Sequence, residues 1–203
     1  MSGIVREMSM SPAAVYRYFA NRDALLADLV VDAYNELADS LADLQEGTDT
    51  AEHHLDAVLR GSRKWALVHP NAYRLIFQST IGSGEEFAAD RLIPAASRSM
   101  NVIIHALAAV TGQRDANPQD ESPSTDVTET LRAWGDRSGF GEFSTGVLEL
   151  AMLTWTRLHG IISLELGGHL AATGIGPDVL FDLEVHAIHS WAAALPGTPK
   201  SSV

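Results

Sequence analysis

The chain has 203 residues, 46% of them hydrophobic and 20% charged, with no cysteine and a formal charge of −12 at pH 7. That balance belongs to a folded globular protein, and the lack of thiols excludes disulfides, thiolate zinc sites and cysteine nucleophiles. The acidic total argues against wholesale polyanion binding. No run approaches about 20 uninterrupted apolar residues and residues 1–20 lack a signal-peptide pattern, so neither membrane insertion nor secretion is expected and the location expected is cytoplasmic.

Charge is unevenly placed. Residues 1–22 carry Arg6, Arg17 and Arg22 against Glu7, a local +2 that leaves −14 for the remainder. One end can approach a nucleic acid while the acidic body stays away.

Apolar residues recur three and four apart, with few β-branched alternations, so the expected fold class is all-α. In chain order, short helices are expected at 4–8 and 12–19, then a long one over 22–45 with Asn21 as its N-cap. A helix over 51–68 should stop at His69-Pro70, because the residue before proline is pushed out of the helical region. Further helices are expected over 72–79 and over 87–110, the latter bent at Pro94. Residues 113–138, polar and containing Asn-Pro and Ser-Pro, are expected to form a flexible surface loop. Two apolar helices follow, over 144–170 and 177–195.

The first chemically informative segment is 9–19. Ser11 caps and Pro12 opens a helix whose Val15 and Phe19 face inward, leaving Ala13, Ala14, Tyr16, Arg17 and Tyr18 on the outer faces. Small residues near such an N-terminus allow close approach to base edges, and tyrosine hydroxyls and Arg22 can reach phosphates. The string from Ser11 to Leu26 resembles the DNA-reading segment of TetR-family repressors. By that resemblance Pro12, Ala13 and Ala14 sit nearest the bases, Tyr16 and Tyr18 near the backbone, and Arg22 holds a phosphate, the partner being double-stranded operator DNA. Family members open with an additional amphipathic helix, and this chain starts near the second. Val5, Leu25 and Leu29 are therefore expected to lack cover.

His69-Pro70-Asn71-Ala72-Tyr73-Arg74-Leu75-Ile76-Phe77 and Trp155-Thr156-Arg157-Leu158-His159-Gly160 together resemble a TetR C-terminal subclass named for its Trp, His and Gly (WHG). The resemblance implies a helix-turn-helix region with its connecting helix at 1–45 and an effector-binding, dimerisation domain at 46–203. It also implies a homodimer. Stripes of Leu158, Ile162 and Glu165 or Leu166, then Leu180, Leu183, Ala187 and Trp191, suit a four-helix bundle between subunits, though they serve equally as internal core. Trp65, Tyr73, Phe77, Met100, Ile104, Met152, Trp155 and His159 offer a mostly apolar lining for a small effector, and such stripes also occur as ordinary core. Gly160 is expected to permit close helix packing.

No nucleophile with its base, no paired carboxylates in a cleft and no phosphate-cradling loop is found, so no enzyme, cofactor or metal site is expected; His53-His54 and the His186, His189 pair lack partners for a metal. The expected function is a ligand-responsive repressor that leaves operator DNA when a small apolar effector binds. The alternative is a helical ligand-binding or dimerisation protein without DNA binding.

Overall fold

A computed structural model describes residues 22–45, 48–78, 85–112 and 126–195. The expected helices at 4–8 and 12–19 and the Asn21 cap lie outside these residues. Every regular element described is helical, as expected: α1 (Arg22–Ala42), α2 (Ala51–Val68), α3 (Pro70–Phe77), α4 (Glu85–Thr111), α5 (Asp126–Ser138), α6 (Thr145–Leu166) and α7 (Pro177–Ala194), with 3-10 turns at Asp43–Gln45 and His169–Thr173.

Local chemistry sets the ends. The Thr50 hydroxyl accepts from His53 N at 3.2 Å and starts α2. At its far end His69 leaves the helical region (φ −118°, ψ 56°) while donating its N–H to Trp65 O, and Pro70 opens α3 where no backbone donor is needed. The proline itself starts α3, two residues before the expected position. Ser144 caps α6 by accepting from Val147 N at 3.3 Å. Gly168, at φ +71°, takes the left-handed conformation that stops α6 at Leu166, short of the expected residue 170.

Helix α4 is the hub, packing on α1, α2, α5, α6 and α7. Its stretch Asp90–Thr111 is long and apolar enough to cross a membrane by length and composition alone. Ile104, Ala106, Leu107 and Ala108 are nevertheless fully buried by neighbouring helices, which marks it as the core helix of the domain. Its most extensive contact is with α1, whose Val30, Ala33, Leu37 and Leu41 are buried. Along this seam Arg91 bonds Asp28, and Arg98 donates to Asn35 Oδ1 at 2.5 Å and Asp39 Oδ1 at 2.6 Å. Exposed pairs of this kind add little next to the buried face. Leu25 is buried and Leu29 half-buried, so neither is bare as the expected lack of cover implied.

Residues 126–138 correct the loop expected over 113–138: they form α5. The helix is too polar to announce itself and is held by tertiary contacts. Trp134 meets Phe140 edge-on at 5.5 Å, and Gly135 is buried where a Cβ would lie 2.8 Å from Leu148 Cδ1, so its lack of a side chain lets α5 settle on α6.

Opposite the hub, Arg63 of α2 ties α6 and α7 together. Its Nε and Nη2 donate to the two Glu165 carboxylate oxygens at 2.8 and 2.7 Å, Nη2 also lies 2.7 Å from Asp178, and the guanidinium sits 5.2 Å from the centre of the Phe181 ring. Bidentate pairing on a largely buried carboxylate is directional and strong.

Candidate functional site

Where α1, α2, α3, α4 and α6 converge they leave a small cavity of about 20 Å³, room for roughly one water molecule. Its aromatic wall is built by i, i+4 spacing on two helices: Tyr73 and Phe77 on α3, Trp155 and His159 on α6. Phe77 and His159 rings lie 3.9 Å apart at 38°, Trp155 meets His159 edge-on at 5.2 Å, and Phe77 also touches Tyr34 of α1 edge-on at 5.8 Å. Trp65 and Ser62 of α2, Ser99 and Ile103 of α4, Leu37 and Leu41 of α1 and Leu158 of α6 complete the lining.

Tyr73 is the polar pivot. Its hydroxyl is 3.1 Å from His159 Nδ1, 3.2 Å from His159 O and 3.0 Å from Ser163 Oγ, while its ring is buried. Burial pushes the Tyr73 hydroxyl pKa up, opposed by the Ser163 hydrogen bond. Desolvation lowers His159 to about 4, so its imidazole is neutral at neutral pH. Burial likewise pushes Tyr34 up to about 12. Arg74, next to the pivot, donates to Leu166 O at the end of α6, which ties α3 to α6 a second time.

Of the residues expected to line an effector site, Trp65, Tyr73, Phe77, Trp155 and His159 face this cavity. Met100, Ile104 and Met152 do not: Ile104 is fully buried and Met100 nearly so within the core cluster, and Met152 is half-buried elsewhere on α6. The cavity meets the face of α4 one residue earlier, at Ser99 and Ile103, a rotation of about 100° that helical spacing alone does not reveal. Pro12, Ala13, Ala14, Tyr16, Arg17 and Tyr18 lie outside the described residues, and Arg22 is the first residue of α1.

The expected dimer stripe is corrected on α6 and not on α7. Leu158 and Ile162 are buried in the core of their own chain. On α6 the outer face instead exposes Leu153 and Leu164, while α7 exposes Val179 together with the expected Leu183; Gly160 lies on the outer face of α6 with nothing among the described residues within 4 Å of where its Cβ would stand, so it makes no close helix contact with them.

Residues 55–188 match the family described as tetracyclin repressor-like, C-terminal domain. The chain is 29% identical over 191 residues to the HTH-type transcriptional regulators Rv1816 of Mycobacterium tuberculosis and Mb1846 of Mycobacterium bovis, covering 93% of this chain and 81% of each relative. The crystal structure of SCO4313, named as a candidate regulatory protein, superposes with a TM-score of 0.67 at 30% identity over 92% of this chain and 83% of that one. A Rhodococcus protein of unknown function shares the fold at a TM-score of 0.61 and 22% identity, covering 92% of this chain and 80% of that one. A matched C-terminal domain spanning most of an all-α chain, with regulators as its relatives, makes this a transcriptional regulator and not an enzyme: the chain belongs to the TetR family.

Proposed function

We propose that the protein is a cytoplasmic, ligand-responsive repressor that binds operator DNA as a homodimer and leaves it when a small, mainly apolar effector enters the aromatic cavity. The observation that carries this reading is the cavity's double wall. One side is the ring cage of α3 and α6, and the other is Leu37 and Leu41 of α1, the helix that begins at Arg22 where the DNA-reading segment ends.

Because the cavity holds about one water, any effector must push its walls apart, and α1 is one of them. Moving α1 changes the separation of the two DNA-reading helices in a dimer, which must stay about 34 to 36 Å apart to meet successive major grooves. An effector that binds the displaced state better drains the DNA-bound population. The outward apolar residues Leu153, Leu164, Val179 and Leu183 support a dimer through α6 and α7.

Two measurements test the reading. Fluorescence anisotropy with the protein's own promoter DNA is expected to show saturable, salt-dependent binding that an effector reverses; no binding at low salt leaves a ligand-binding protein without DNA activity. Mass in solution is expected to be that of a dimer, and Leu183→Glu to give a monomer; a wild-type monomer defeats the dimer.

A further inference from the structure

One residue of the cavity wall carries a hydrogen-bond donor that no described residue uses. Three buried side-chain polar atoms lack a hydrogen-bond partner among the described residues, His54 Nδ1, Trp65 Nε1 and Thr154 Oγ1, and of these residues Trp65 alone lines the cavity. An indole N–H can only donate, and an unmatched buried donor disfavours folding unless something else needs it there. Trp65 is 5% exposed, so bulk solvent does not supply the acceptor, and its ring is stacked on His69 at 5.6 Å and 30°.

The hydroxyls of the lining are already engaged, whereas the Trp155 indole N–H and His159 Nε2, on half-buried residues, make no hydrogen bond among the described residues. Ser62 Oγ donates to Val58 O, Ser99 Oγ donates to Ala96 O, and the Tyr73 hydroxyl is bound between His159 and Ser163. Among the described residues no Asp, Glu, Lys or Arg lines the cavity. A carboxylate or ammonium entering it would lose its hydration with no counter-charge to replace it. Phe77, Trp155 and His159 are only half-buried and form the edge at which the cavity can widen.

We infer that the cavity selects an uncharged, partly aromatic molecule bearing one hydrogen-bond acceptor, a carbonyl or ether oxygen, which takes the Trp65 Nε1–H while its ring lies against Phe77, Trp155 and His159. This rests on the effector reading above and adds to it the chemical class of the ligand and the atom that selects it. Trp65 acts as the specificity-determining donor, and the rings supply affinity; the Trp65→Phe arm below separates its N–H from that of Trp155.

The test uses four probes of similar outline with the full ¹⁵N-labelled chain: acetophenone, α-methylstyrene (a methylene in place of the ketone oxygen), benzoate and benzylamine. The sequence has four tryptophans, and Trp65→Phe identifies the Trp65 indole signal by its loss. Acetophenone is expected to move that signal downfield and to bind about tenfold more tightly than α-methylstyrene, a ratio that Trp65→Phe brings to near unity. Benzoate and benzylamine are expected to leave the indole signals unchanged. Equal binding of ketone and alkene by the natural chain overturns the donor role while the effector cavity stands, and benzoate binding as tightly as acetophenone overturns the preference for uncharged ligands. If none of the four binds, the effector cavity itself fails and this inference with it. Should Trp65→Phe not fold, the ketone-to-alkene ratio of the natural chain still decides.

Discussion

Helix α6 is held to its neighbours in two unlike ways. Near its C-terminal end Glu165 is gripped by Arg63 through short, paired, charge-assisted bonds that leave both side chains mostly buried. Two to three turns earlier, Trp155 and His159 meet α3 through ring contacts and one tyrosine hydroxyl, around a void whose wall includes an indole N–H with no partner among the described residues. A bidentate ion pair loses its strength with small displacements, whereas ring contacts are individually weak and broadly tolerant of movement. The first arrangement fixes α2, α6 and α7 as one frame, and the second leaves the junction with α1 and α3 adjustable.

The largest effect is expected from breaking the frame. Arg63→Met leaves the mostly buried Glu165 without its main partner and should lower the unfolding free energy by about 3 kcal/mol in denaturant titrations. A loss under 1 kcal/mol would show that the frame does not depend on this pair.

Acid probes the adjustable side. In the unfolded chain His159 takes up a proton near 6.5, while in the folded protein burial holds it off to about 4. Between those values the unfolded state binds more protons, so stability is full above pH 6.5 and falls as pH drops, by up to about 3 kcal/mol at pH 4. His159→Gln should flatten that part of the pH profile; an unchanged slope assigns it to other groups.

Tyr73→Phe keeps the ring and removes the hydroxyl shared by His159 and Ser163. A cost of about 1–2 kcal/mol is expected by thermal or chemical unfolding. If the cost matches that of Arg63→Met, the two sides are not different in kind.

The smallest change tests the proposed dimer. Gly160→Ala meets nothing within 4 Å among the described residues, so relief of glycine's helix penalty should raise monomer stability by about 0.5–1 kcal/mol. Measured across protein concentration, the same substitution is expected to weaken association, since an added methyl stands on the outer face. Unchanged association removes Gly160 from the interface.

Sequence revealed most where a single residue decides the outcome. His69-Pro70 ends a helix where it was expected to, and the expected helix starts at 51 and 144 agree to within a residue with ends set by the Thr50 and Ser144 caps. Helix α5 was missed because what holds it lies far from local propensity: Trp134 against Phe140, and Gly135 against Leu148. The ring cage was legible because Tyr73 with Phe77, and Trp155 with His159, repeat at helical spacing. Leu37, Leu41, Ser62, Ser99, Ile103 and Leu158 were not, because their share of the cavity depends on how five helices cross. Ser62 and Ser99 were further disguised by hydroxyls bonded within their own helices. The triplet of Trp155, His159 and Gly160 turned out to serve two faces, with two rings inward and a bare backbone outward.

The apolar length of α4 has a consequence for a chain still being made. Its stretch Asp90–Thr111 follows α1 and α2, on which it packs, but α6, α7 and the Trp155 and His159 rings are synthesised tens of residues later. Until then a nascent chain displays an oily helix with only part of its cover, the kind of surface that chaperones hold and aggregates recruit. A chain stopped before residue 145 should therefore be found in the insoluble fraction, and one extended through α7 should escape it.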